Sequence, residues 1–427
     1  MRWMLGVSLL WLGVSAPGQA AEFRGEYQVR ATQGLEDGDF RLFEHSLTPE
    51  MDLALPGGAH MHAAGRLRYE DRDRFEPGTN NDGDYRSTWS RRHEFSDKAE
   101  AELLEFYVDG YLGDTFYRVG KQSIAWGAAI GLEVLDIVNP VTMREFILPD
   151  RDERRLALWA VNVEQPIGDW MASFVWLPDT TYEQLPKPGA TFAFQTQQPP
   201  SGIQWLQADK PDHAIADADT GVQLTTFLSG WDVSLNYLYH YNDRPVIERE
   251  EVNGSVTLQP VYYRTHTLGG SLSNAFGDFT IRAEAGYDTQ QFFQNGSMEA
   301  VSGWSRSPEV STVFGVDYSG VRDWLISSQL FVSYLPDYQQ GMVRERRQDR
   351  ATFLLRGDLF GHTQTAELLL IHSLDYHDGV FQLAWDYRVR SHVTLRAMLD
   401  MPYGDGRGDF GQFHDRDQFS LAVEYSF

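Results

Sequence analysis

Apolar and polar residues alternate along the chain in many segments of about ten residues. In the closing stretch FSLAVEYSF, Phe419, Leu421 and Val423 share one face, and Ser420 and Ala422 share the other. A period of two places successive side chains on opposite faces of a β-strand. The recurrence predicts β-structure throughout the chain. Strands are predicted near residues 23–32, 39–55, 59–70, 99–112, 115–126, 153–166, 169–178, 218–229, 231–243, 259–273, 279–291, 308–319, 323–335, 350–360, 363–376, 380–390, 393–403 and 416–427.

The connections between these strands alternate in length. Short ones carry the residues of tight hairpins, as at Gly113-Asp114, Gly168-Asp169 and Gly277-Asp278. Longer polar stretches lie between them, near 71–98, 127–152, 179–217, 243–258, 292–307, 336–349 and 404–415. Short periplasmic turns and long outer loops are typical of outer-membrane barrels. We therefore predict an all-β fold, a transmembrane antiparallel up-and-down β-barrel of about 18 strands, with sixteen as the alternative count.

Both ends of the chain carry signals of export. The first residues combine a charged start with an apolar run of about 12 residues, shorter than the roughly 20 that span a bilayer. Residues 1–20 are predicted to be a cleaved signal peptide and residues 21–427 a single barrel domain in the outer membrane of a Gram-negative bacterium. Tyr425 and Phe427 resemble the carboxyl-terminal signature that the barrel-assembly machinery recognises.

Composition agrees with a membrane barrel. The chain has 12 Trp, 20 Tyr and 25 Phe, yet a mean hydropathy of only -0.41. This combination is expected when each strand has one lipid face and one wet face. The chain has no cysteine, which suits an exported fold without disulfides. A net charge of -25 makes nucleic acid a poor partner; the acidity fits either a solvated surface or a role in selectivity.

Charged residues occupy many predicted inward positions. Water in a barrel lumen solvates such charges, whereas arginine facing mid-membrane lipid costs about 2–4 kcal/mol. The charges either tune passage of polar solutes or hold the barrel's shape through ion pairs. The candidate lumen residues are Arg66, Arg68, Glu70, Glu105, Asp109, Arg282, Glu284, Asp288, Asp386, Arg388, Arg390, Arg396 and Asp400.

One segment, AWGAAIGLEVLDIVNPVTMREFILPDRDERR, follows neither a strand nor a helix period. It is too apolar for a solvated loop of its length and needs cover. Residues 127–152 are predicted to fold inward and constrict the channel; an external loop packed on its neighbours is the alternative. The candidate constriction residues are Trp126, Asp136, Asn139, Pro140, Arg144 and Glu145.

Several motifs lie in or beside this segment: Gly120-Lys121-Gln122, Trp126-Gly127, Asp136-Ile137-Val138-Asn139-Pro140, Pro149 and Trp176-Leu177-Pro178. The chain here resembles a group of porin-like proteobacterial outer-membrane proteins and, more distantly, alginate-export barrels. The first resemblance implies a lipid or hydrophobic cargo, handled with periplasmic lipid carriers and inner-membrane permeases.

The stretch 179–217 is predicted to be a long outer loop. Its acidic end carries Asp209, Asp212 and Asp217, with Asp219 just beyond. These carboxylates could bind a divalent cation or bridge lipopolysaccharide, which together with outer-membrane lipid is an expected partner. A solvated acidic loop is the alternative, and no other cofactor is predicted.

The sequence favours transport over catalysis. It has no cysteine nucleophile, no Gly-x-Ser-x-Gly and no His-Glu-x-x-His motif. His60 and His62 share a strand face without an evident third metal ligand. His372, Asp375, His377 and Asp378 cluster near a predicted tight outer turn, where a Ser-His-Asp arrangement with Ser373 is of a kind that chance can produce. We predict no enzyme. Two hypotheses remain: a channel for polar or charged solutes, or a conduit or acceptor for lipid or another amphiphile.

Overall fold

The computed structural model describes residues 21–127, 129–194, 204–252, 255–297 and 300–427, so the predicted signal peptide lies outside the described residues. Each of eighteen long strands pairs antiparallel with the next one along the chain, and the last pairs with the first. The predicted closed, all-β antiparallel barrel is confirmed, with eighteen strands rather than sixteen. The strands are β1 Ala21–Gly34, β2 Phe40–Ala54, β3 His60–Glu70, β4 Ala99–Leu112, β5 Thr115–Gln122, β6 Leu158–Ile167, β7 Trp170–Leu177, β8 Asp219–Leu228, β9 Trp231–Tyr241, β10 Arg264–Phe276, β11 Phe279–Gln294, β12 Trp304–Tyr318, β13 Trp324–Tyr334, β14 Arg347–Leu359, β15 Gln364–Ser373, β16 Gly379–Arg390, β17 Val393–Tyr403 and β18 Gln418–Ser426.

The first and last strands close the barrel. Tyr27 lies opposite Tyr425, and the pairing runs from Glu26–Ser426 to Gly34–Gln418. Beyond the strand end, Gly25 and Phe427 each donate a backbone N–H to the other's carbonyl oxygen, both at 2.9 Å. Closure leaves no open edge between β1 and β18, as a sheet surrounded by hydrocarbon requires.

The apolar face of the wall points outward. On β18, the side chains of Leu421 and Tyr425 are 54% and 48% exposed, whereas Ser420 and Ala422 are 2% and 3% exposed. A water-soluble sheet would have the reverse arrangement, because apolar side chains would face its core. Exposed large apolar residues occur on strands all around the barrel. The exterior is therefore an apolar belt, and the alternation predicted from the sequence reflects it.

The two rims of the barrel differ. The short-turn rim has eight connections of two to five residues, including 113–114, 168–169 and 391–392. The long-loop rim includes 71–98 and 123–157, but two of its connections, 35–39 and 374–378, are also short. The predicted short turns and long loops thus lie on opposite rims, and neither of these two tight connections was among the predicted long loops.

Several short elements were not predicted. The stretch expected to be a loop near 243–258 forms a hairpin, Val246–Val252 with Ser255–Val261, against which Gln204–Trp205 pairs in parallel. The β-branched residues Val246, Ile247, Val256 and Thr257 on the two arms favour strands there. His93–Ser96 pairs beside the start of β4. Short helices are Asp82–Tyr85, Arg151–Arg154 and, as a 3₁₀ turn, Gly411–Phe413. Among the described residues, none of the helices is long and apolar enough to cross a membrane.

Candidate functional site

Residues 123–157, here called the inward segment, connect β5 to β6 and make contacts with strands on opposite sides of the barrel. In its first half, the Trp126 indole lies against Gly221 of β8. The Ile130 N–H donates to Gln329 Oε1 of β13 at 3.0 Å. The chain then returns to Asn139 beside β5, so this half reaches across the lumen and back.

Apolar packing fixes the first half. Val134 and Leu135 form a buried cluster with Val313 of β12 and Phe331 of β13. Trp126 and Val138 belong to a second buried cluster with residues of β6, β7 and β9. The wall supplies the cover that these apolar side chains need. This explains the composition of the segment and why neither strand nor helix periodicity runs through it.

The second half turns toward β1, β2 and β3 and meets them through charges. Arg144 is buried and pairs with Glu44 at 3.2 Å, with Glu145 at 3.0 Å and with Glu70. Arg30 of β1 approaches Glu145 Oε1 at 2.6 Å. Burial opposes charge on the Arg144 guanidinium, but the three carboxylates raise its pKa above the usual value. Two arginines and three carboxylates thus bind the segment to the wall.

Asn139 joins the two ends of the inward segment. Its Oδ1 accepts the Ile124 N–H at 2.7 Å, and its Nδ2 donates to the Leu156 carbonyl at 2.8 Å. The residue is 1% exposed, so water cannot replace these partners. Pro140 beside it is also buried, and its carbonyl accepts the Leu156 N–H at 2.8 Å.

Asp136 is a second tie within the segment. Its carboxylate accepts a hydrogen bond from Arg151 Nε at 3.1 Å and also forms an ion pair with Arg155. Arg151 Nη2 donates to the Asp136 carbonyl at 2.6 Å as well. The predicted strand near 153–166 begins only at Leu158, because Arg151–Arg154 form a short helix in which Arg151 reaches Asp136.

Toward the long-loop rim the segment is covered by other loops. Met143 and Phe146 pack in a buried cluster with Phe192, Phe410 and Phe413, which belong to the connections after β7 and β17. The Phe146 and Phe413 ring centroids lie 4.8 Å apart. Aromatic packing on this side contrasts with the charges on the other.

The connection 71–98 also enters the site. Arg92, 7% exposed, pairs with Glu76 and with Asp82, both at 2.5 Å. Arg86 pairs with Glu102 of β4 at 2.5 Å. Burial raises the pKa of Glu76, but the hydrogen bond and charge of Arg92 outweigh it and lower that pKa to about 2. A buried network of matched charges thus lines the wall between β3 and β5.

A cavity of about 670 Å³ lies between the inward segment and the wall formed by β1–β5 and β14–β18. Its lining includes thirteen acidic and eleven basic residues, which outnumber the apolar ones. Many of these residues, such as Glu26, Arg356 and Glu424, lie near strand ends at the short-turn rim. We call this cavity the vestibule. Its surface suits water and polar solutes rather than hydrocarbon.

Family and structural comparisons agree with this geometry. A family model described as "Protein of unknown function (DUF1302)" matches residues 63–382 of the 427. The chain belongs to this family. No curated protein matches the chain. The fold is similar to that of OccAB1 from Acinetobacter baumannii, at 9% identity over 96% of both chains with a TM-score of 0.54. It is also similar to OccK5 (OpdH) from Pseudomonas aeruginosa, at 12% identity over 95% of this chain and 98% of that one, with a TM-score of 0.51. At these identities the likeness concerns the barrel fold alone.

The predicted lumen residues occupy three places in this family member. The first group lines the vestibule: Arg66, Arg68, Glu105, Asp386, Arg396 and Asp400. Most are paired, as Arg66 is with Glu102 at 2.6 Å and Arg396 with Asp386 at 2.7 Å. Many of these charged residues therefore form ion pairs, as expected for charges that hold the shape of the barrel.

The second group lies outside the vestibule lining and contacts other residues of the wall or the inward segment. Glu70 pairs with Arg144, and Asp109 pairs with Arg118 at 2.9 Å. On β11 of the opposite wall, Arg282 pairs with Asp317, Glu284 lies beside Gly127, and Asp288 accepts a hydrogen bond from Thr267. The third group is Arg388 and Arg390, which are exposed at the short-turn end of β16 and are not part of the vestibule lining.

Sequence reasoning missed several charged residues of the site. Arg30, Glu44, Glu102 and Lys121 line the vestibule and were not among the predicted residues. Glu102 and Glu105 both face inward although they differ in parity, because the β3–β4 register shifts between Ala64 and Gly65. An assignment of faces that assumes a strict period of two cannot detect such a bulge. The density of arginine and acid in 71–98 was the signal for the loop network.

His60 and His62, the cluster around His372 and Asp378, and the acidic outer loop lie in different parts of the structure. His372 Nδ1 lies 2.8 Å from Tyr403 Oη, and Asp378 accepts the N–H groups of Phe410 and Gly411. His62 contacts Asp52 at 2.8 Å, whereas His60 is exposed. In the acidic outer loop, ligand atoms of Asp212, His213 and Asp217 lie within 4.8 Å of one another. Asp212 and His213 are exposed there, as in many solvated acidic loops.

Proposed function

We propose that the protein is an outer-membrane channel for small polar or charged solutes, with the inward segment as its constriction. The charged vestibule carries this proposal, because a hydrated cavity lined by ionised groups of both signs suits solutes that exchange water for polar contacts. The apolar exterior requires hydrocarbon around the closed sheet, and the barrel fold shared with outer-membrane proteins supports that location.

The inward segment narrows the path in this proposal. A barrel of eighteen strands without contents would enclose a wide aqueous pore. Contacts of the segment with β8, β13 and the β1–β3 wall cross that space. We infer that solutes pass beside the segment, where its charged half meets the vestibule, and that short turns face the periplasm.

The geometry favours polar solutes over lipid. An acyl chain gains free energy only where apolar surface receives it. The apolar side chains of the inward segment, such as Leu135 and Phe146, are instead buried in packing against the wall and loops. Their surface is already covered, so a lipid path would require the segment to move. The proposed role involves no catalysis.

Purified protein in planar bilayers tests the proposal. We expect discrete, stable current steps in KCl after insertion, with no lipid retained after gentle detergent extraction by mass spectrometry. Heat-denatured protein from the same preparation is the control for leaks caused by detergent. Insertion without conductance, together with one reproducibly bound lipid species, would contradict the channel and support the conduit.

A further inference from the structure

Positive and negative side chains are not evenly paired across the lining of the vestibule. On the side of β1–β4, arginines meet carboxylates in close pairs, such as Arg68 with Glu100 at 2.6 Å and Arg30 with Glu145 at 2.6 Å. In a second part of the lining, carboxylates predominate. This part, here called the acidic wall, consists of Glu26 on β1, Asp150 and Glu153 of the inward segment, and Glu367, Asp386 and Glu424 on β15, β16 and β18.

Among the described residues, only Arg356 and Arg396 form ion pairs with carboxylates of this acidic wall. Arg356 lies 3.8 Å from Glu367, which is a loose pair. Arg396 is shared, at 2.7 Å from Asp386, 3.4 Å from Glu153 and 3.9 Å from Glu424. One guanidinium cannot neutralise three carboxylates. The acidic wall therefore carries an excess of negative charge.

Two of the carboxylates have no ion-pair partner in the described part of the chain, namely Glu26 and Asp150. Both line the vestibule, and Glu26 is exposed. Glu153 is 55% exposed although it lies inside the barrel, so it faces open lumen. Glu26 and Glu424 are near the short-turn ends of β1 and β18. The excess charge therefore lies in the part of the vestibule toward that rim.

We propose that the vestibule selects small cationic solutes over anions, with the acidic wall as the determinant. This inference rests on the proposed channel function and names its substrate class. Fixed carboxylates around a water-filled constriction raise the local concentration of cations and lower that of anions. The carboxylates act by long-range attraction, so a hydrated cation need not lose its water to be selected.

Reversal potentials across bilayers test the selectivity, with K⁺ and Cl⁻ as the probe ions. Under a KCl gradient near 0.1 M, we expect permeability to K⁺ to exceed that to Cl⁻ by at least about threefold. Raising both sides toward 1 M should weaken the preference, since the screening length falls from about 10 Å to about 3 Å. The triple variant E26Q/E153Q/E367Q should bring the ratio close to unity while current steps persist.

A matched control removes the same total charge outside the lumen: E36Q/D114N/D169N changes exposed loop and turn residues. It should retain the selectivity of the unmodified protein. If the triple vestibule variant does not fold, E153Q alone should lower the ratio. A channel that conducts without preference, or prefers Cl⁻, overturns the inference but leaves the channel intact. A barrel that inserts without current refutes the channel function itself.

Discussion

Trp126 of the inward segment lies against Gly221 of β8, closely enough that a Cβ on Gly221 would be 2.6 Å from Trp126 Cη2. The same Cβ would be 3.0 Å from the Tyr237 carbonyl of β9 and 2.8 Å from Leu238 Cδ1, whose side chain is buried. The missing side chain in the wall thus makes room for an indole from the segment. The inward segment and the barrel wall are therefore closely complementary in shape at Gly221.

Gly221→Ala should destabilise the barrel by about 1–3 kcal/mol, because the added methyl overfills a packed site. The measurement is the free energy of unfolding in urea, followed by tryptophan fluorescence in detergent micelles. In the Trp126→Ala background the same alanine should cost clearly less, since the indole is gone. An equal cost in both backgrounds would show that β9, and not the segment, limits the space at Gly221.

The barrel could be predicted from sequence because one physical rule governs every strand. Leu421 must face hydrocarbon and Ser420 must not, so the alternation of apolar and polar residues shows directly which side chains form the outer face of the barrel. The alternation rule does not apply to residues outside the strands, because no lipid face constrains them. The apolar residues of the inward segment, such as Leu135 and Phe146, are buried against different strands and loops rather than facing lipid. The apolar content of the segment predicted burial, but it carried no information on which strand covers which residue.

The site could be predicted only in part for a similar reason. Candidate lumen charges such as Arg66 and Asp386 follow from parity, but their partners are set by register and loops. Arg92 reaches Glu76 and Asp82 through folding of the loop 71–98, which has no period to interpret. Asn139, in contrast, belongs to a motif that the sequence shows, but its hydrogen bonds to Ile124 and Leu156 are evident only in the structure.

Replacing Asn139 should loosen the base of the inward segment. Asn139→Ala leaves the Ile124 N–H and the Leu156 carbonyl without their buried partner, at about 1–3 kcal/mol for each group. Asn139→Asp keeps the acceptor but places a charge beside carbonyl oxygens, so it should not rescue stability. Urea unfolding compares both variants with Gln33→Ala, a control at an exposed polar residue. Rescue by aspartate would assign the stabilisation to the Ile124 bond alone.

Glu76 should make stability depend on pH in the acid range. Its pKa in the folded protein is about 2, below its usual value near 4.5, because Arg92 outweighs burial. A depressed pKa stabilises the fold above the unfolded pKa, and this stability is lost as pH falls from about 4.5 toward 2. Relative to Glu76→Gln, the unmodified protein should lose about 3 kcal/mol between pH 6 and pH 2.

Urea unfolding at several pH values measures this difference, and Glu36→Gln serves as the control at an exposed acid. Other carboxylates titrate in the same range in both proteins, so only the difference between them reports on Glu76. Parallel pH profiles for the unmodified protein and Glu76→Gln would show that Arg92 does not hold Glu76 ionised in the folded state.

Removing Arg144 should both destabilise the barrel and widen the proposed channel. Glu44, Glu70 and Glu145 would then face one another while buried, with Arg30 as the nearest remaining cation, a loss of about 3–5 kcal/mol. Repulsion should move the charged half of the segment away from β2 and β3, so Arg144→Gln should conduct more current per channel. Arg407→Gln, at an exposed pair with Asp405, should change neither quantity. Unchanged conductance with lowered stability would show that the cluster around Phe146 keeps the segment in place without the ion pairs.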